Sequence, residues 1–284
     1  TLVMRVPALL FASVLASLLA SAQTLRLPPR FPEAPTGSAF ATSVMTLPRE
    51  TREEQILVQI SMGNVPHHTR NLVPLTLTET IDSVEQTITY YVLPDYLSIG
   101  SDDDHVLIPM TPLLAQAIAD TAGCILPTRK MVNDIYHASP LKLRPQPIPP
   151  SAAMVTVPVF IQHNDSIRCQ RRTDFANVPP GTMVAGHKKD VIISNAMYTN
   201  LKPSVPRPVV IFGWHRLDGV PIQPLYNGHV ESYADYSHGI RLVQKSAVLN
   251  GLPVDLNDVL TDPVFCRLVS DEGPVVRPRY ESAR

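Results

Sequence analysis

Four histidines fall between residues 187 and 238 of this 284-residue chain, each beside other groups that can move protons or carry charge. They lie in Gly186-His187-Lys188-Lys189-Asp190, in Gly213-Trp214-His215, at His229, and in Asp235-Tyr236-Ser237-His238-Gly239-Ile240-Arg241. Imidazole titrates near neutral pH, so it serves as general base, general acid or metal ligand. On a regular strand Asp235, Ser237 and Arg241 would share one face, with His238 opposite beside Tyr236. Gly239 marks a bulge or a close backbone approach, and a bulge would bring Ser237, His238 and Arg241 to one side.

The expected chemistry is hydrolysis. His238 or His215 would act as base, oriented by Asp235, with Ser237 or a water molecule as nucleophile. Arg241 or Lys189 would face the developing negative charge, and Trp214 and Tyr236 would touch the substrate. No cofactor is needed for that scheme. A zinc alternative takes His187, Asp190 and His229 as ligands together with His215 and His238, but the chain lacks H-E-x-x-H. A third possibility is a non-catalytic protein whose His, Trp and Tyr residues line a carbohydrate or peptide groove. His67, His68, His105, His137 and His163 are scattered and are expected to be structural or solvent-facing.

The elements that position these groups follow from local pattern. Thr51-Arg52-Glu53-Glu54 forms a capping box before apolar Ile56, Leu57 and Ile60, with a stop at Gly63. Thr111-Pro112 and Thr128 cap two further helices. Leu72–Leu77 and Thr87–Leu93 are rich in β-branched and aromatic residues and read as strands. So do Met183–Ser194 and Val209–His215, whereas Met154–Ile161 fits strand or helix. Asp218-Gly219 signals a turn, and Pro221 and Pro224 keep the next segment off any central strand. A short terminal helix is expected from Asn257 or Asp262. The sum is an α+β chain, N-terminal helices packed on a mainly antiparallel, strand-rich C-terminal half. Residues 23–138 form the helix-rich part, 139–153 a Pro-rich connection and 154–284 the strand-rich part with the site, either as separate parts or as one domain with 23–138.

Composition narrows the partners. A net charge of −1 provides no general field for nucleic acid or anionic membrane. Lys188-Lys189 and Arg171-Arg172 read as solvated surface pairs. Met4-Arg5, the apolar Val6–Leu19 and Ala20-Ser21-Ala22 form a secretory signal pattern over residues 1–22, so secretion is expected, or a periplasmic location in a Gram-negative host. After cleavage no membrane association is expected, and the partner would be an extracellular polymer or peptide. Cys124, Cys169 and Cys266 allow at most one disulfide within the chain. Cys124 could be a papain-type nucleophile but lies outside a helix start, which favours a buried or disulfide-bonded cysteine. Asn164-Asp165-Ser166 is a glycosylation sequon. Asp102-Asp103-Asp104 lacks the spacing of a dedicated calcium loop.

Two resemblances add to this reading. Gly186-His187-Lys188-Lys189-Asp190-Val191, Gly213-Trp214-His215, Asp235–Leu242 and Leu126-Pro127-Thr128-Arg129-Lys130-Met131 resemble strings of a secreted bacterial and fungal family without an assigned activity. The likeness implies no reaction. Ser237-His238-Gly239-Ile240-Arg241 is locally similar to the L,D-transpeptidase signature Ser-His-Gly-Cys-Ile/Val-Arg, with His215 in place of its upstream histidine. The nucleophilic cysteine of that signature is missing, so transpeptidation does not carry over.

Overall fold

A computed structural model describes residues 23–199, 201 and 205–281. The segment read as a signal peptide lies outside the described residues. Helices α1 (Gly37–Ser43) and α2 (Arg49–Ser61) precede a hairpin of β1 (Val73–Ile81) and β2 (Val84–Val92). Strands β3 (Ser98–Gly100) and β4 (His105–Leu107) lead to α3 (Pro112–Thr121), β5 (Cys124–Ile125), α4 (Arg129–Ala138) and β6 (Leu141–Lys142). After the Pro-rich stretch come α5 (Val157–Asp174), β7 (Val184–Ala185), β8 (Lys189–Val191), β9 (Pro208–His215) and β10 (Pro221–Val230). The chain continues through β11 (His238–Gly239), β12 (Val243–Gln244), β13 (Ser246–Leu249), β14 (Leu252–Asp255) and α6 (Leu256–Thr261). The fold is α+β with mostly antiparallel sheets, helices concentrated in the N-terminal half and strands in the C-terminal half.

Two sheets organise the molecule. The larger runs β14-β13-β2-β12-β5, with β1 paired to β2. It therefore joins strands from both sides of the Pro-rich stretch. The smaller runs β10-β9-β8-β11, antiparallel except for the parallel pairing of β11 with β8. Among the described residues no helix is long and apolar enough to cross a membrane.

Local chemistry accounts for most element ends. Thr111 and Thr128 accept hydrogen bonds from Leu114 N and Met131 N, capping α3 and α4 as their sequences predict. The β1–β2 turn places Asp82 and Ser83 at positive φ, 48° and 68°, the geometry that follows the twist of a tight hairpin. The capping box at Thr51 does not form. The helix begins three residues earlier, capped at Pro48, and Glu53 instead accepts from Thr111 N and Oγ1 at 2.6 and 2.8 Å. The segment from Met154 resolves as helix, because Pro158 in the first turn of α5 needs no amide partner there. This 18-residue helix, the longest described, lies in the part expected to be strand-rich. Both prolines of β10 sit on an edge strand, as their missing N–H requires.

Candidate functional site

Only His238 and Gly239 of the 235–241 segment are strand; the residues before them form a turn. Asp235 closes that turn itself. Its Oδ1 accepts from Ser237 N at 2.7 Å and Ser237 Oγ at 2.5 Å, and its carbonyl accepts from His238 N at 3.1 Å. Tyr233 donates to Oδ2 at 3.1 Å. Gly239 is a close approach rather than a bulge. A Cβ there would lie 2.6 Å from Tyr96 Cδ1 and 2.7 Å from Lys188 Cβ, so only glycine lets β11 settle against β8.

His238 is 1% exposed, and neither ring nitrogen has a hydrogen-bond partner among the described residues. Burial pushes its pKa down to about 4, outweighing the opposing pull of Asp235, so the imidazole is neutral at pH 7. Its register partner is Lys189, whose ammonium lies 5.0 Å above the Trp214 ring. Burial also lowers the Lys189 pKa, with Asp235 opposing. Burial would raise the Asp235 pKa, but His238, the Ser237 bonds and Lys189 bring it below the usual carboxylate value. Outward from His238 stand Tyr233, ring centroid 5.8 Å away, and half-exposed His229, stacked on Tyr233 at 4.0 Å.

His215 does not join this group. Gly213 and Trp214 both take positive φ, 110° and 57°, which breaks the alternation of β9 before its last residue. His215 consequently turns to the Asp190 face, stacking on Tyr136 at 4.4 Å and meeting Asn133 Oδ1 through Nε2 at 3.0 Å, both on α4. His238 stands with Lys189 on the opposite face. The expected convergence of the two histidines is thus corrected by the bend at Trp214. Trp214 and Tyr236, expected to touch substrate, are 5% and 2% exposed. They pack against each other and His163 of α5, so they serve the core.

His187, Asp190 and Arg241, all buried, enter a different network. His187 Nε2 meets Asp95 Oδ1 at 3.1 Å, and Arg171 Nη1 donates to Asp95 Oδ2 at 2.8 Å. Tyr96 donates to Asp190 Oδ2 at 2.8 Å, and the Arg241 guanidinium lies 4.3 Å over the Tyr96 ring. Arg241 spends two donors on Leu93 O and Val184 O at 2.9 and 2.7 Å, with Nε 4.0 Å from Asp190 Oδ1. It ties segments together rather than facing a reacting group. Burial pushes Asp190 up to about 7 against the opposing Arg241. Burial acts the same way on Asp95, but His187, Arg171 and Arg241 hold it well below its ordinary range.

Several smaller expectations change. Lys188 is not a surface cation: it is buried, donates to Tyr236 O at 2.6 Å, and burial pushes its pKa down to about 7. Arg171 is committed to Asp95, which sequence reasoning missed together with Tyr96, since nothing local marks Asp95-Tyr96 as more than a loop. Asn164 is buried and accepts from Leu107 N, an environment unsuited to a glycan. Asp102 is bonded to His68 and Asp104 to Ser38. All three cysteines are free, Cys124 and Cys266 buried and Cys169 exposed.

Among the described residues no group of three or more His, Cys, Asp or Glu is placed to hold a metal ion. The ligands of the zinc alternative are divided between the His187–Asp190 network, the His215 face, and His229 and His238. A cavity of about 570 Å³ opens beside His229, lined also by Asn195, Thr199, Asn227 and Glu272. Compared with protein-family models, curated proteins and solved structures, the chain matches none of them.

Proposed function

We propose that this protein is a secreted hydrolase acting on an extracellular polymer, at amide bonds of cell-wall or peptide material, with His238 as general base. The observation that carries this reading is the His238 imidazole itself. It is buried, neutral and unpartnered at both nitrogens, beside a carboxylate, a hydroxyl and an ammonium. An unsatisfied buried polar group costs roughly 1–3 kcal/mol; His163 bears the same cost inside the core, and what supports a reacting role for His238 is its place beside Asp235, Ser237 and Lys189.

In this scheme His238 accepts a proton from an attacking water or from Ser237 Oγ. Asp235 holds the Ser237 hydroxyl and favours the imidazolium as it forms. Lys189, partly exposed and facing the same side, stabilises developing negative charge in the substrate. Entry requires Tyr233, whose edge stands against the imidazole, to swing outward. His215 and Arg241 have no part in the reaction. Secretion rests on the N-terminal sequence pattern alone.

The test is release of new amino groups from purified peptidoglycan and from peptide substrates. His238→Ala should lower the rate by about 10²–10⁴ without loss of fold. Ser237→Ala separates the routes, because it abolishes turnover only if the hydroxyl is the nucleophile. Absence of amine release by the wild-type protein on either substrate defeats the reading.

A further inference from the structure

Strand β10 is ten residues long, forms one edge of its sheet and contains no Asp, Glu, Lys or Arg. Its outer face carries Ile222, Tyr226 and Val230, and the turn leading into it carries Leu217 and Val220, all between 38 and 56% exposed. Single exposed apolar side chains are ordinary, but five on one hairpin make a patch. At its far end the patch runs into the cavity beside His229, where Val230 meets Leu201 and Val205. The polar groups of that cavity are spent within the chain. Asn195 donates to Pro274 O, Asn227 to Ala196 O and Thr199 to Asn195 O, while Glu272 accepts from Ser194 Oγ. The hollow suits an apolar side chain.

The backbone edge of β10 is blunted. Pro221 and Pro224 lack N–H groups, and the pairing with β9 slips between Gln223 and Tyr226 and again between Tyr226 and His229. An added extended strand would find its ladder broken, so a partner must dock on the side chains of the face.

That face is complementary to itself. The apolar tip, Leu217 and Val220, stands at one end of β10 and the hollow at the other, about 30 Å away at the rise of a strand. A twofold axis near Tyr226 sets the tip of each copy on the hollow of the other. The same axis brings central residues against their own copies, where like charges would repel, and β10 has no charge to do so. With exposed Pro206 and Pro224, these apolar side chains present roughly 600 Å² of surface, the area per partner at which specific interfaces begin.

We infer that the outer face of β10 is the interface of a twofold dimer of this chain, with Tyr226 at its centre and Leu217 of each copy over the Val205–Val230 hollow of the other. The inference does not depend on the hydrolase reading.

The test is molar mass by light scattering after size exclusion, over a dilution series in the micromolar range. The wild-type protein should run at twice the mass of one chain. Tyr226→Asp and Tyr226→Lys should each run as monomers with unchanged far-ultraviolet dichroism, and mixing them in equal amounts should restore the dimer. Leu252→Asp, which places a charge on an equally open apolar site of β14 in the other sheet, should remain dimeric. A wild-type monomer at every concentration overturns the inference, also where it sediments with phosphatidylcholine vesicles and so marks a lipid surface. A dimer that survives either charged variant, or a mixture that stays monomeric, overturns it as well.

Discussion

His238 and Lys189 are direct partners in the parallel pairing of β11 with β8, so a neutral imidazole and an ammonium stand on the same sheet face. The pairing depends on Gly239, and it sets His238 apart from His215, the other histidine that the sequence offers as a base. Because neither His238 nitrogen is hydrogen-bonded, removing the ring breaks no bond. His238→Leu should therefore leave stability equal or raise it by about 1 kcal/mol in denaturant melts, while amine release falls about 10²–10⁴-fold. A loss of 2 kcal/mol or more would mean that the imidazole is bonded in solution and holds the fold.

The same burial makes stability depend on acid. The His238 pKa is about 4 in the folded chain and about 6.5 when unfolded. Between those values the unfolded chain binds more protons, so stability falls as pH drops from about 6.5 to 4. Full passage through that window costs about 3 kcal/mol from His238 alone. His163, pushed down to about 2 chiefly by burial, adds in the same direction. Urea melts at pH 7 and pH 4.5 should show a smaller acid loss in His238→Leu than in the wild type. Equal losses would mean that the ring reaches water.

How much of this was legible in the chain depends on the distance to each group's partner. Thr111 and Thr128 cap helices through amides three residues ahead, and both starts were readable. Glu53 finds its partner 58 residues away at Thr111, so the local capping box was overridden. Asp95 pairs with His187 across 92 residues, and no spacing rule reaches that far. The 235–241 segment was singled out for its residue types, and Asp235, Ser237 and His238 do lie together. His215 was misplaced because the alternation rule assumes extended backbone, which Trp214 leaves at φ 57°. Trp214 and Tyr236 read as exposed recognition residues because sequence alone does not show α5 covering them.

The cysteines give a simple check on the core. Cys124 is buried, and burial pushes its pKa up to about 12; Cys266 is buried as well, whereas Cys169 lies on the exposed side of α5. A thiol reagent at pH 8 should titrate one group quickly in the native protein and three after unfolding. Two or three fast thiols would contradict this packing, and fewer than three after unfolding would reveal a disulfide.

Asp95 provides the sharpest contrast with His238. Its carboxylate is nearly all buried and binds His187 with one oxygen and Arg171 with the other. Asp95→Asn keeps the shape but removes the charge that offsets Arg171 and the nearby Arg241 guanidinium. Taking one partner from a buried ionic group costs about 3–5 kcal/mol, since the remaining charges stay out of water without compensation. The variant should unfold at clearly lower denaturant, and residual hydrolysis should track the folded fraction rather than show a separate catalytic loss. Arg241→Lys should behave similarly on a smaller scale, because one ammonium cannot reproduce the fork that holds Leu93 O and Val184 O. If Asp95→Asn instead kept its stability and lost turnover by the factor expected for His238→Ala, the reacting centre would belong to the Asp95–His187 pair rather than to His238.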